Sequence, residues 1–267
     1  MVSGCCGSAE SEAERLSLDQ THAVENRYGA AAKEQEACLC TPVAFNPAYL
    51  EVIPEEVVEK DYGCGDPTRW IKPGDVVLDL GSGSGKNAFI CSQVVGETGS
   101  VIGVDRNSEM LALARQAAPI VAEKIGWTNV KFVEGAIERL DISQADGLPL
   151  IGDKSIDVVL SNCVLNLVNP SSRKDLLCNI RRVLRPGGRI AISDIVSDKD
   201  VPLEMQQDPE LWSGCISGAW QEDAFLSDFR ALGFDQLSYA DRSATPWRVV
   251  NGIEFRAVTL LGQLPTD

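Results

Sequence analysis

The chain has 267 residues and a formal net charge of -15 at pH 7. That length suits one large domain, or one domain with a modest extension, and it buries a substantial core without disulfide staples. The acidic balance excludes a nucleic-acid backbone as main partner, because phosphate binding needs clustered Lys and Arg, and no apolar run reaches the length of a membrane span.

Residues 1–20 are small, polar and acidic, and are expected to form a flexible tail. Their opening, MVSGCCGS, lacks the basic-then-apolar order of a secretory signal, and Gly4 is not at the second position that myristoylation requires. The cytoplasm is the expected compartment. There the nine cysteines stand mostly as thiols, available for packing, redox work or soft-metal binding. The single histidine, His22, argues against a His-based zinc or iron site.

Residues 21–69 read as a helical and loop extension. THAVENRYGAAAKE predicts a short helix, CLCTPVAFNPAYL a Pro-broken loop, and IPEEVVEKDYG a helix with Pro near its start and Gly at its end. Residues 70–262 read as the main domain. DVVLDL, SVIGVD, NVKFVEG, IDVVLSN and GRIAISDIV are apolar strands, separated by helical patterns such as SEMLALARQAAPIVAEKIG. In SSRKDLLCNIRRVLRPGG, basic residues and then Pro-Gly-Gly predict a helix stop. QEDAFLSDFRALGF reads as an amphipathic helix, and QLSYADR and EFRAVTLLG as an antiparallel closing pair. The expected fold is α/β and Rossmann-like: a mostly parallel, seven-stranded sheet with helices on both faces.

In such a sheet, ligands bind at the C-terminal strand ends. LDLGSGSGK is one of these ends. Gly81, Gly83 and Gly85 permit a tight turn and close backbone approach, or simply close packing of strand on helix. Asp105 lies about twenty residues on, where an acid accepts hydrogen bonds from ribose hydroxyls; a helix N-cap is the alternative. After the third strand, Gly135 and Ala136, then Ile137 and Glu138, form a candidate wall for an adenine ring. The glycine spacing is not the G-x-G-x-x-G of dinucleotide folds. Asp79, in the strand leading to the turn, repels a pyrophosphate but pairs with a cation. S-adenosylmethionine carries an ammonium and a sulfonium and no phosphate. DLGSGSG, GVD and GAIE, in this order, resemble the class I S-adenosylmethionine-dependent methyltransferases.

Three cysteines stand out by position. Cys64 sits between glycines in YGCGDP, which suits a thiol that must be reached. Cys163 ends the fourth strand in SNCVLNL, beside the cofactor edge, and Cys215 follows the fifth in WSGCISGAW. Each alone could be a small buried hydrophobe; three converging thiolates would make a soft pocket for a thiophilic centre such as trivalent arsenic. Cys91 and Cys178 lie within apolar helical patterns and are expected to pack.

YGCGDP, DLGSGSGK, SNCVLNL, SDIV and SGCISGA together resemble the arsenite S-adenosylmethionine methyltransferases, from about Ala37 to Leu261. The resemblance implies that Cys64, Cys163 and Cys215 bind trivalent arsenic, with arsenite and methylated arsenicals as substrates. It also implies a fourth cysteine upstream, Cys38 or Cys40, able to pair with Cys64. Cys40 is preferred, since relatives read Cys-x-Pro-Val or Cys-Cys-Pro-Val there. That disulfide would return arsenic to the trivalent state, and an external thiol reductant, glutathione or thioredoxin, would reopen it. The glycines around Cys64 would let its loop swing between arsenic and this partner. Tyr62 and Gly63 would line the methionine end of the cofactor, and Asn162 belongs to the same set. Many relatives carry a further C-terminal domain, so the chain resembles a short form; a monomer is expected. The Cys5–Cys6 pair either captures arsenic or is incidental. Two rivals stand: a carbon, nitrogen or oxygen methyltransferase, which needs a base and no cysteines, and a metalloid scavenger or sensor without turnover.

Overall fold

In the computed structural model the described residues are 23, 24, 27, 43–142 and 147–266. The expected tail, His22, Cys5, Cys6, Cys38 and Cys40 lie outside them. The apolar runs become strands β1 (Val76–Leu80), β2 (Ser100–Asp105), β3 (Val130–Glu134), β4 (Ile156–Asn162) and β5 (Leu184–Ser197). These five pair in parallel in the order β3-β2-β1-β4-β5. The sheet continues through β9 (Ile253–Gln263) to β7 (Asp235–Arg242), both pairings antiparallel, so the closing pair is as expected. Two short strands, β6 (Trp220–Gln221) on β5 and β8 (Arg248–Val250) on β9, extend the expected seven to nine.

The strands are apolar on both faces because each face has its own core. Val77 of β1 packs with Phe89, Leu111 and Val121 on one side, while Leu78 and Leu80 pack with Leu176, Ile180 and Phe229 on the other. Burying each such side chain contributes roughly 1.5–3 kcal/mol. The first face is covered by α1 (Pro47–Leu50), α2 (Glu55–Glu59), α3 (Lys86–Val95) and α4 (Ser108–Ile125). The second is covered by α5 (Arg173–Val183) and, beyond two short helices α6 (Leu203–Gln206) and α7 (Pro209–Ser213), by α8 (Glu222–Ala231).

Some boundaries differ from expectation. The Pro-broken loop holds the one-turn helix α1, started by the Asn46 side chain accepting from Ala48 N. Helix α5 stops at Val183, before Pro-Gly-Gly, because Leu184 already pairs with Ile156 and opens β5. Cys91 is fully buried as expected, but Cys178 is exposed: α5 turns its apolar stripe, Leu176, Leu177, Ile180 and Val183, away from that position.

The extension is fastened to the sheet by one buried ion pair. Lys86, the first residue of α3, places Nζ 2.7 Å from Asp61 Oδ2 and over the Phe45 ring. Burial holds the Asp61 carboxyl above its ordinary range, with Lys86 opposing that rise. Lys86→Met should therefore destabilise the chain by about 3–5 kcal/mol near pH 8, where Asp61 is left charged and unpaired. The deficit should shrink toward pH 5, because Asp61, its pKa raised further without the lysine, then takes up a proton in the folded state. Urea unfolding at both pH values checks this; an equal deficit at each would mean that losing Lys86 leaves the protonation of folded Asp61 unchanged.

Candidate active site

The cofactor side is built on the turn after β1. Gly81 and Gly83 have φ of 71° and 52°, a left-handed backbone open to glycine. A Cβ at Gly81 would lie 2.4 Å from Val164, so the turn and the chain after β4 touch without side-chain bulk between them. Gly85 has the other role considered for it: its Cβ would lie 2.7 Å from Phe132, which stacks edge-on against Phe89, so it seats α3 on the sheet.

The Asp105 carboxylate braces this turn. One oxygen accepts from Gly83 N at 2.8 Å and the other from Asn107 N at 2.8 Å. The N-cap of α4 is Asn107, which accepts from Glu109 N and Met110 N, so Asp105 is not spent as a cap. Burial raises its pKa against the lowering effect of these amide bonds.

A cavity opens over the turn, lined by Tyr62, Gly81, Gly83 and Asp105 at one end, by Ile137 and Glu138 beside β3, and by Asn162 and Cys163 at the end of β4. Asp79 and Ala136 do not line it; Asp79 stands behind the turn, 1% exposed. Its Oδ2 is buried without a hydrogen-bond partner among the described residues, and burial, then Asp61 and Asp105, push its pKa well up. A buried, orphaned acid beside two others favours a cationic ligand. Together with a glycine cradle that any Cβ would obstruct, this fits S-adenosylmethionine. Asp61, Arg106, Asn107, Met110 and Trp212 also line the cavity and escaped the sequence reading; only their nearness to motifs could have pointed to them.

The thiol side begins where the cavity ends. Cys64, Cys163 and Cys215 are all buried, at 7%, 6% and 4% exposure, and share one apolar cluster with Ile195, Met205 and Phe255. The Cys215 thiol donates to the Cys163 carbonyl at 3.4 Å. Cys215 pulls the Cys163 pKa down, but Cys64, burial and the Asp194 charge carry it well above the ordinary value, which favours the neutral thiol in the free protein. Among the described residues no three His, Cys, Asp or Glu side chains converge as a metal-ion site; the cysteines meet through Cys163.

Cys163 and Cys215 both hold positive φ, 60° and 59°. Non-glycine residues seldom adopt this region, and surrounding structure must enforce it. For Cys163 that structure includes its own N–H donated to Ser193 O at 2.8 Å. Cys64 is held differently. Asn162 Oδ1 accepts from Cys64 N at 3.0 Å and Gly65 N at 3.3 Å, and its Nδ2 donates to Gly65 O at 2.8 Å. A Cβ on Gly63 would lie 2.4 Å from Asn162 Nδ2, and one on Gly65 would lie 2.5 Å from Ser193 Oγ. The glycines that suggested a swinging loop serve close packing here.

Residues 71–233 match the family described as a methyltransferase domain. The chain is 37% identical over 220 residues to an arsenite methyltransferase of Aquipseudomonas alcaligenes, covering 79% of this chain and 61% of that protein. It is 36% identical to the arsenite methyltransferase of Homo sapiens, covering 69% of this chain and 48% of the human protein. The chain thus spans less than two thirds of the length of these relatives. Among solved structures, the arsenic(III) S-adenosylmethionine methyltransferase of Chlamydomonas reinhardtii superposes with a TM-score of 0.72 at 33% identity, covering 83% of this chain and 74% of that one.

Asp105→Ala should weaken S-adenosylmethionine binding about tenfold or more, since hydrogen bonds to a charged carboxylate contribute about 1.5–3 kcal/mol each. Titration calorimetry reads this. An unchanged affinity would restrict Asp105 to bracing the turn.

Proposed function

The chain belongs to the arsenite S-adenosylmethionine methyltransferase family, and on that premise we propose that it methylates trivalent arsenic held by Cys64, Cys163 and Cys215. One observation carries the proposal: Cys163 lines the cofactor cavity and also belongs to the cluster of three thiols. A substrate bound to that sulfur would stand at the end of the cofactor cavity.

Buried thiols suit the incoming substrate. Arsenite is As(OH)₃ near neutral pH, and each As–S bond formed replaces an As–OH, the thiol proton leaving with the hydroxyl as water. Three such exchanges release three waters and leave the arsenic lone pair free. No general base is required, since arsenic carries no proton to remove.

Asp105, the Gly81–Gly83 backbone and the Ile137–Glu138 wall are the residues that would hold S-adenosylmethionine, with Tyr62 toward its methionine end, Gly63 beside it, and the Asp79 carboxyl favouring a cation from behind the turn. When bound, it supplies an electrophilic methyl group on a sulfonium. The chain's own contribution is orientation: the Asn162 clamp and the two left-handed cysteines fix the sulfurs, and the apolar cluster around them excludes water. Transfer to the lone pair raises arsenic formally to the pentavalent state. Return to the trivalent state takes two electrons from two thiols, which join as a disulfide and release two protons. Cys64 with Cys40, or with Cys38, is the pair we favour, reopened by an external thiol of the glutathione or thioredoxin class. The expected setting is the cytoplasm; no helix among the described residues is long and apolar enough to cross a membrane.

Purified protein with arsenite, S-adenosylmethionine and a thiol reductant should yield methylated arsenic, separated by chromatography and detected by elemental mass spectrometry. No product, with both ligands bound, would favour a scavenger. Cys163→Ser or Cys215→Ser should lower the rate by about 100-fold or more while S-adenosylmethionine affinity stays within about threefold. Cys64→Ser should lose arsenite methylation but keep activity on a monomethylated trivalent arsenical, which has only two exchangeable positions. Full activity of either of the first two variants would overturn the three-thiol site.

A further inference from the structure

The Cys215 loop is gripped by a residue that neither the sequence motifs nor the proposed chemistry uses. Arg173 begins helix α5, where a cation opposes the helix dipole. Its guanidinium lies 3.7 Å from the centre of the Trp220 ring, and its Nη2 donates to the Gly218 carbonyl, three residues past Cys215. Burial lowers its pKa to about 10, opposed by the charges of Asp194 and Asp228.

The loop is pressed from the other side as well. A Cβ on Gly218 would lie 2.0 Å from the Asn166 carbonyl oxygen. Asn166 follows Cys163 by three residues, and its Nδ2 donates to Asp194 Oδ1 at 2.8 Å and to Ile195 O at 2.6 Å. The Cys215 loop is thus sandwiched between Arg173 and the chain that carries Cys163.

This arrangement is poor value for folding alone. Arg173 Nε, Ser217 Oγ and Asn166 Oδ1 are all buried without a hydrogen-bond partner among the described residues, and unsatisfied buried polar groups are destabilising. A partly buried cation at a helix start adds to the cost. The left-handed backbone of Cys215 is set locally, where α7 ends with Cys215 N donating to Trp212 O and Ile216 N to Leu211 O. What the Gly218 contacts add is where that turn sits against the Cys163 segment, with the Cys215 thiol 3.4 Å from the Cys163 carbonyl.

We propose that Arg173 is the positioning residue of the Cys215 thiol, setting the Cys163–Cys215 pair for capture of trivalent arsenic through its hold on the Gly218 carbonyl. The inference rests on the reading of the three cysteines given above.

The test uses phenylarsine oxide, a trivalent arsenical that takes two thiols. The full chain carries Cys5, Cys6, Cys38, Cys40 and the exposed Cys178 changed to Ser, so that the three candidate thiols report beside only the fully buried Cys91. Arg173→Met should weaken phenylarsine oxide binding about tenfold, while calorimetric affinity for S-adenosylmethionine stays within about twofold. Arg173→Lys keeps a donor and a charge but not the planar fork, and should fall between. In a Cys215→Ser background Arg173→Met should have no further effect, as expected of two residues acting through one thiol. Arsenical affinity unchanged in Arg173→Met, a parallel loss of both ligands, or full additivity with Cys215→Ser would each overturn the assignment. Should Arg173→Met fail to fold, the Arg173→Lys comparison decides alone: unchanged arsenical affinity overturns the assignment. Failure of the parent chain to bind phenylarsine oxide would instead sink the three-thiol site, so the two failures are distinguishable.

Discussion

The carboxamide of Asn162 is the contact on which the rest of the site depends. It ends β4, the central strand next to β1, and spends its oxygen and nitrogen on the backbone of Cys64 and Gly65. The preceding residue, Ser161, donates to Leu80 O at the end of β1, and the following one, Cys163, receives the chain into a left-handed turn. Three consecutive residues therefore join the glycine turn, the Cys64 loop and the thiol cluster. Displacing this strand end would move cofactor wall and substrate sulfurs together. Its position is secured by the parallel pairing of β4 with β1 and β5 on either side.

The same edge is unusually acidic for a buried region. Taken as whole residues, Asp79 and Asp194 are buried and Asp61 and Asp105 half-buried at the cavity wall, and withdrawal from water is the largest cause of the raised pKa of each, to about 7 for Asp194. Lys86 answers Asp61, amide donors answer Asp105, and Asn166 with Ile195 N answers Asp194. Asp79 alone keeps an unanswered oxygen. Such a group weakens the free fold and is stabilised by any cation that reaches its field, so ligand binding and folding stability are linked here. A dinucleotide would meet repulsion at this place; a ligand with an ammonium and a sulfonium would not.

The fold was legible because its signals are local. Each parallel strand is a short apolar run, and the glycine turn follows the first of them within a few residues. That Cys64, Cys163 and Cys215 come together in one buried cluster was also legible, since each sits in a distinctive short motif near the same sheet edge. The supports were not. Asn162 meets the Cys64 loop across 98 positions and Arg173 meets Gly218 across 45, and neither pairing leaves a trace in periodicity or spacing. The glycines beside Cys64 read as freedom because a sequence does not reveal what a glycine is pressed against; here it is Asn162 and Ser193. Cys178 read as core because a helix of mixed pattern does not announce where its stripe ends. The raised pKa of Cys163 was likewise hidden, since Cys64 and Asp194, with burial, drive it up against the opposing effect of Cys215, and all three residues are distant in the chain.

Two cysteines held in a left-handed backbone bear on how such a site gains affinity. A flexible trio of thiols would lose conformational freedom on closing around arsenic, and that loss would subtract from binding. Here the backbones of Cys163 and Cys215 are already confined to a region that β-carbon residues avoid, by a Ser193 carbonyl in one case and, in the other, by the turn that closes α7, with Cys215 N on Trp212 O and Ile216 N on Leu211 O. The strain is met during folding, by the two cores that cover the sheet, and not at the moment of capture. The third thiol is fixed by hydrogen bonds to Asn162 without backbone strain, its φ lying outside the positive range. That asymmetry separates two cysteines with strained backbones from one whose loop is held by a single side chain, Asn162.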